Sequence, residues 1–303
     1  MPERRYKVVG LGEILWDLFP AGRKLGGAPA NFAYITTLLG DEGIPASRLC
    51  ADDLGHEARA QIVRLGVSDA HLQTDPHNPT GTVKVAVDGN GQPHFEITEH
   101  VAWDFLEWTP SWQGLAKAAD AVCFGSLAQR APDSRNTILE FLKATRPDVL
   151  RVFDVNLRQQ FFSREILASS LQLASVVKLN HEELPRICEI FGISTDDECS
   201  SARQLAELYN IQMVCVTRGA RGSLIVKRNG EVSEHRGFQV RIGDTVGAGD
   251  AFTAAMVHEY LRGASVDRIN EAANRMGAWV ASQVGATPVP AHDNISEALA
   301  AIT

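Results

Sequence analysis

The chain has 303 residues, 45% of them hydrophobic, enough to bury a large core in one sizeable α/β domain or two smaller ones. Its 29 basic and 37 acidic residues leave a formal charge of −8 with no basic tract, which argues against nucleic-acid binding through a phosphate-neutralising patch. Five scattered cysteines (Cys50, Cys123, Cys188, Cys199, Cys215) form no C-x-x-C pair and read as buried thiols of a reducing cytoplasm, neither a disulfide framework nor a zinc site. The opening MPERRYKVVGLGEILWDLFP lacks the unbroken apolar stretch of a signal peptide, and no apolar run is long enough to cross a bilayer. The expectation is a soluble, cytoplasmic protein without a membrane partner.

In chain order, YKVVGL (6–11) is a short β-rich run, and GEILWDLFP (12–20) alternates apolar and polar residues like a half-exposed strand. APANFAYITTLLG (28–40) and GHEARAQIVRLG (55–66) are amphipathic and predict helices. TGTVKVAVDGNGQPHFEITEHVAW (80–103) alternates again, with Asp88-Gly89-Asn90-Gly91 as a hairpin turn signal. The apolar runs ADAVCFG (119–125), LRVFDV (150–155), ASVVKL (174–179) and IQMVCVT (211–217) predict buried strands, with DSRNTILEFLKAT (133–145) a helix among them. Such alternation predicts a mostly parallel sheet covered on both faces. The two half-exposed segments, at about 13–25 and 80–103, predict a small sheet projecting as a lid; for the second, an ordinary edge hairpin is the plainer alternative.

GDTVGAGDAF (243–252) runs into the helical pattern DAFTAAMVHEYLR (250–262). Asp250 could simply cap that helix, a stabilisation of roughly 1 kcal/mol. Capping leaves Gly247, Ala248 and Gly249 unexplained. Three small residues before a helix let backbone N–H groups converge on an anion, and the helix dipole strengthens the site. A carboxylate beside such a site suits phosphoryl transfer: it deprotonates the attacking hydroxyl while the amides hold the charge on the transferred phosphate. Competing patterns fail. Gly10-x-Gly12 lacks the third glycine of a dinucleotide fingerprint, since position 15 is Leu15. No Lys is followed by Ser or Thr, and neither H-E-x-x-H nor G-x-S-x-G occurs.

Gly243-Asp244-Thr245-Val246-Gly247-Ala248-Gly249-Asp250 resembles the C-terminal signature of the ribokinase-like (PfkB) carbohydrate kinases. Gly26-Gly27-Ala28-Pro29-Ala30-Asn31-Phe32-Ala33 is similar to their N-terminal signature. Asn180-His181-Glu182-Glu183 looks like the family's N-x-x-E, and Thr217-Arg218-Gly219-Ala220-Arg221-Gly222 its T-x-G-x-x-G. The four motifs stand in the family's order along almost the whole chain. The resemblance implies a ribokinase-like three-layer sandwich with a small β lid, and ATP-dependent phosphorylation of a sugar or nucleoside hydroxyl. It makes Asp250 the catalytic base and Gly247, Ala248 and Gly249 the anion hole. It places Asp17, Gly27 and Asn31 at substrate hydroxyls and Asn180, Thr217, Gly219, Gly222 and Asn274 at the nucleotide. Glu183 then organises Mg²⁺ through water, and Asp244, with carbonyls near 285–287, holds a monovalent cation such as K⁺. A homodimer through the lid is the remaining partner expectation.

On residue character alone Asp17 reads equally as an exposed strand residue, Asn31 as a surface polar residue, and Glu183 as support for a helix over 181–191. The opening GEILWDLFP and GGAPANFA look like those of bacterial fructokinases. Asp154-Val155-Asn156-Leu157-Arg158 is similar to their D-x-N-x-R, Val155 replacing the usual Pro. Arg158 then contacts substrate or forms a structural salt bridge. Phe124-Gly125-Ser126-Leu127 has no acid where ribokinases carry a Glu, and 80–100 has neither Tyr nor Arg, unlike ketodeoxygluconate kinases. A neutral hexose, fructose first, is the expected substrate. Nucleoside kinases, an inactive sugar-binding protein on this fold and a nicotinamide-dependent oxidoreductase are the rivals.

Overall fold

The structure is a computed structural model that describes residues 4–20, 22–87, 93–194, 196–291 and 294–302. In chain order the elements begin β1 (Lys7–Leu11), β2 (Leu15–Phe19), β3 (Gly22–Gly26), α1 (Ala28–Leu38), β4 (Glu42–Cys50) and α2 (Asp53–Arg64). There follow β5 (Leu72–Asp75), β6 (Gly81–Val87), β7 (Pro93–Ile97), α3 (Pro110–Ala118), β8 (Ala121–Phe124), α4 (Pro132–Ala144) and β9 (Leu150–Asp154). Then come α5 (Arg164–Leu173), β10 (Val176–Asn180), α6 (Glu183–Phe191), α7 (Glu198–Leu208) and β11 (Met213–Thr217). The chain closes with β12 (Ser223–Lys227), β13 (Val232–His235), α8 (Ala248–Leu261), α9 (Val266–Ala281) and α10 (Ile295–Ala300).

Among the described residues the main sheet has nine strands in the order β13-β12-β11-β10-β9-β8-β1-β4-β5. It is parallel from β5 through to β11, and β12 and β13 are added antiparallel. Strand alternation sorts its side chains onto two faces. Val9, Val122 and Phe124 join one apolar core with Trp112 of α3, Phe141 of α4, Leu171 of α5 and Leu205 of α7. Val8, Ala121 and Cys123 join the other, with Phe32 of α1, Ile62 of α2, Met256 of α8 and Met276 of α9. The result is the expected helix–sheet–helix sandwich.

The two half-exposed segments pair with each other. They form a four-stranded sheet in the order β3-β2-β6-β7, two antiparallel hairpins joined by parallel pairing of β2 and β6. The edge-hairpin alternative is thereby replaced by a separate sheet. The turn signal Asp88–Gly91 lies outside the described residues.

Strand β4 carries no sequence signal because Pro45 interrupts it. Gly12 N–H donates to Ala46 O at 3.0 Å, so the peptide groups of residue 46 face β1 and those of Pro45 face away from it. On that side β5 pairing begins only at Ser47, so the missing proline N–H costs no ladder bond.

Candidate active site

The carboxyl ends of the parallel strands carry most of the residues singled out above, as expected for ligand sites of open α/β sheets. β1 runs out into Glu13, β9 into Asp154, Asn156 and Arg158, β10 into Asn180 and Glu183, and β11 into Thr217. Helix α8 brings the glycine turn to them.

Gly247 caps α8 with φ 78°, and a side chain there would come within 2.5 Å of the Ala286 Cβ. Only glycine fits. Ala251 N–H donates to Gly247 O at 2.9 Å and Ala248 N–H to Thr245 O at 3.3 Å. The amides of Gly249 and Asp250 remain in a first turn that supplies no intrahelical acceptor, the geometry of an anion site. Asp250 is not the cap, since Gly247 holds that position and no side chain makes a capping bond. Its Oδ2 instead accepts from Asn31 Nδ2 at 2.8 Å. Burial, then the charge of Asp154, push the Asp250 carboxyl up to about 6, against the Asn31 hydrogen bond and the charges of Lys178 and Arg158. A carboxylate so placed is a weak acid near neutrality and a competent proton acceptor.

Beneath the turn lies a buried ion pair for which sequence reasoning assigns no role. Lys178 Nζ donates to Asp154 Oδ1 at 3.1 Å, while Thr253 Oγ1 donates to Asp154 Oδ2 at 3.1 Å. Burial alone would discharge Lys178. Asp154, Glu183 and Asp250 outweigh it and hold the ammonium charged above the ordinary lysine range. A Cβ on Gly249 would sit 3.2 Å from Lys178 Nζ, so the cation underlies the candidate anion hole directly. The available signal was a lone lysine inside the apolar run VVKLN.

On the small sheet, Asp17 stands opposite Lys24 in the β2–β3 register. Burial pushes its carboxyl up to about 6, opposed by the charges of Arg158 and Lys24 and reinforced by that of Asp244. The small sheet therefore faces the glycine turn. Lys24 Nζ donates to Asp244 Oδ2 at 3.1 Å, tying β3 to the turn. Burial raises the Asp244 carboxyl, but the Val246 amide, Lys24 and the Gly285 amide overcome it and hold it below its usual range. Arg158 is exposed, and its charge reaches Glu13, Asp17 and Asp250, which favours a ligand-facing role over a structural bridge. Gly27, φ 104°, caps α1; a Cβ there would lie 2.5 Å from Glu13 O.

The remaining candidates are spent more on protein than on an open cleft. Buried Glu183 accepts from Leu157 N–H and Asn180 N–H, each at 2.8 Å, one on each oxygen. Asn180 Oδ1 accepts from the amides of Glu182 and Glu183, each at 2.9 Å, just before α6 begins. Together they clamp the ends of β9 and β10. Thr217, Gly219 and Gly222 line up along the turn from β11 to β12, where Arg218 N–H donates to Gly222 O at 2.7 Å. Asn274 stands apart: its Nδ2 donates to Ser223 Oγ and to Asn270, a buried cluster fastening α9 to β12.

Residues 21–293 match the family described as pfkB family carbohydrate kinase. The chain belongs to that family. It is similar to the fructokinase of Escherichia coli, with 33% identity over 95% of this chain and 98% of the relative. Its fold is similar to that of an uncharacterized sugar kinase of Pyrococcus horikoshii solved with ATP, TM-score 0.78 and 26% identity, covering 92% of this chain and 94% of that one. A fructokinase double mutant of Vibrio cholerae solved with fructose, ADP and potassium gives TM-score 0.78 at 25% identity, covering 99% and 100%. This pfkB kinase is thus a sugar kinase with the ribokinase-like fold. No helix among its described residues is long and apolar enough to cross a membrane.

Proposed function

We propose that this kinase transfers the γ-phosphoryl group of ATP to a hydroxyl of a neutral sugar, fructose being the preferred substrate. The observation that carries this reading is Asp250: one oxygen is anchored by Asn31, and its own helix turn presents open amides beside it. Asp250 takes the proton of the attacking hydroxyl as the new O–P bond forms and the bond to the leaving ADP oxygen breaks. The amides of Gly249 and Asp250, with Lys178 beneath them, hold the charge of the transferred group.

Asp17 from the lid and Arg158 from the loop beyond β9 bind sugar hydroxyls, with Gly27 and Asn31 on the α1 side. Thr217, Gly219 and Gly222 border the nucleotide, with Asn180 and Asn274 supporting that region from behind. Mg²⁺ carried by nucleotide phosphates keeps most of its waters and needs only one or two carboxylates, so a Glu183 already spent on two amides fits the role through water. When bound, the ion neutralises charge on the phosphates.

The relatives named as fructokinases support fructose. The stretch Phe124-Gly125-Ser126-Leu127 supports it too, carrying no acid where ribokinases carry one; its Ser126 is fully buried with Oγ donating to Val155 O at 2.8 Å. The test is ATP-coupled turnover across fructose, other hexoses, ribose, ketodeoxygluconate and adenosine. Highest kcat/KM for fructose supports the reading; a clear preference for adenosine or ketodeoxygluconate sinks it.

A further inference from the structure

Glu13 stands in the GEILWDLFP opening, but neither the resemblance nor the proposed reaction assigns it a role. It follows β1, is only 3% exposed, and its Oε2 has no hydrogen-bond partner among the described residues. It lines the same pocket as Asp250, together with Cys123, Gly125, Asp154 and Asn156. Its backbone packs closely against Gly27, where an added Cβ would lie 2.5 Å from Glu13 O. An ionised carboxylate with one buried oxygen left without a donor is costly, and the group escapes that cost by keeping its proton.

The two charges nearest in effect pull in opposite directions. Asp250 of α8 faces it and opposes a second negative charge; Arg158, beyond β9, favours one. Asp154 of β9 is neutralised by Lys178 of β10, and the Cys123 thiol of β8 is held protonated by burial and by Asp154, Asp250 and Glu13. Asp17 of β2 looks toward Arg158 and Lys24. Burial first, then Asp250 against the amides of Glu13 and Ala28, lift the Glu13 carboxyl to about 7.

We propose that Glu13 is a positioning residue for Asp250: as a neutral acid on the inner wall of the pocket, it leaves Asp250 the carboxylate that meets the sugar hydroxyl. The proposal rests on Asp250 being the base. In a pocket rich in acceptors, the neutral carboxyl also supplies a donor that an ionised one would remove. Once Glu13 loses its proton, a second negative charge stands where the transferring phosphoryl group arrives, and turnover falls.

The test follows both carboxyls in the folded enzyme and in turnover. With ¹³C-labelled glutamate, NMR of the wild type should show one carboxyl titrating near 7, well above the ordinary glutamate value of about 4.3. That signal should be missing in Glu13→Gln and should move to lower pH in Asp250→Asn, where the neighbouring charge is gone. Wild-type kcat/KM should fall on the alkaline side by roughly tenfold per pH unit beyond that titration, and Glu13→Gln should lack this fall. The proposal is overturned if every glutamate carboxyl titrates below about pH 5, or if Glu13→Gln keeps the same alkaline fall. Should Glu13→Gln fail to fold, the wild-type and Asp250→Asn titrations decide the matter. Full turnover in Asp250→Asn would instead remove the base itself, a separate outcome.

Discussion

Asn31 Nδ2 donates to Asp250 Oδ2 at 2.8 Å across 219 residues of chain. The first turns of α1 and α8 are thereby joined through the two side chains that the N-terminal and C-terminal signatures contribute. The bond holds one carboxylate oxygen in place and leaves the other to meet a hydroxyl.

Asn31→Ala should move the acid limb of kcat to higher pH. Asp250 must be ionised to accept a proton, its carboxyl already sits near 6, and the Asn31 hydrogen bond is one of the influences holding it down. Loss of that bond raises it further, so a larger fraction is protonated at pH 7. Turnover there should drop about tenfold or more, because the carboxylate also loses its anchor. A pH–rate profile checks this; an acid limb at the wild-type position removes Asn31 from the base's support.

Asp250→Asn should cut kcat by a factor of roughly 10²–10⁴. It should also stabilise the fold at neutral pH. A carboxyl raised from 3.8 to about 6 by folding is harder to ionise in the folded than in the unfolded chain. That cost is absent below the unfolded value, grows as pH rises, and is complete above 6. Melting at pH 7.5 should therefore be a few degrees higher for Asp250→Asn, with the difference gone by about pH 4. Retention of more than about a tenth of wild-type kcat would overturn the role.

Asp17→Ala should raise the sugar KM and lower kcat/KM by about two orders of magnitude, with little change in KM for ATP, because charge-assisted hydrogen bonds to hydroxyls contribute roughly 1.5–3 kcal/mol each. In the wild type the sugar KM should climb as pH falls through about 6, where Asp17 takes up a proton and stops accepting two hydrogen bonds. Steady-state kinetics at several pH values check both. An unchanged sugar KM in Asp17→Ala sinks the lid contact.

A monovalent cation bound at Asp244 would compete there with Lys24. K⁺ should raise kcat over Na⁺ at equal ionic strength, and Asp244→Ala should abolish the difference. Because Lys24 Nζ already sits 3.1 Å from Asp244 Oδ2, Lys24→Met should lower the K⁺ concentration for half-activation several-fold. Equal rates in both salts, for wild type and Lys24→Met alike, would leave Asp244 as an anchor for β3 and nothing more.

The sequence by itself determined the layered α/β architecture, the pair of half-exposed segments and the glycine turn. Each rests on a local rule: strand alternation, helix periodicity, or the small residues a backbone anion site demands. Asp250 was legible for the same reason, standing three residues beyond the glycine that caps its helix. Only the tertiary structure decided who its neighbours are. Asn31 anchors it, Lys178 and Asp154 underlie it, and Glu13 shares its pocket. These residues come from four separate elements or the loops leaving them, and a strand pattern says which face a side chain occupies but not which distant strand end lies beside it. Pro45 shows the same limit. Inside β4 it looks like a breaker, and only the late start of β5 pairing makes it harmless. Lys178 inside an apolar strand looks like an exception until Asp154 appears 3.1 Å away. Charge pairs and unpaired carboxyls in a closed space depend on distances across the fold, and those exist only once the sheet has brought the strand ends together.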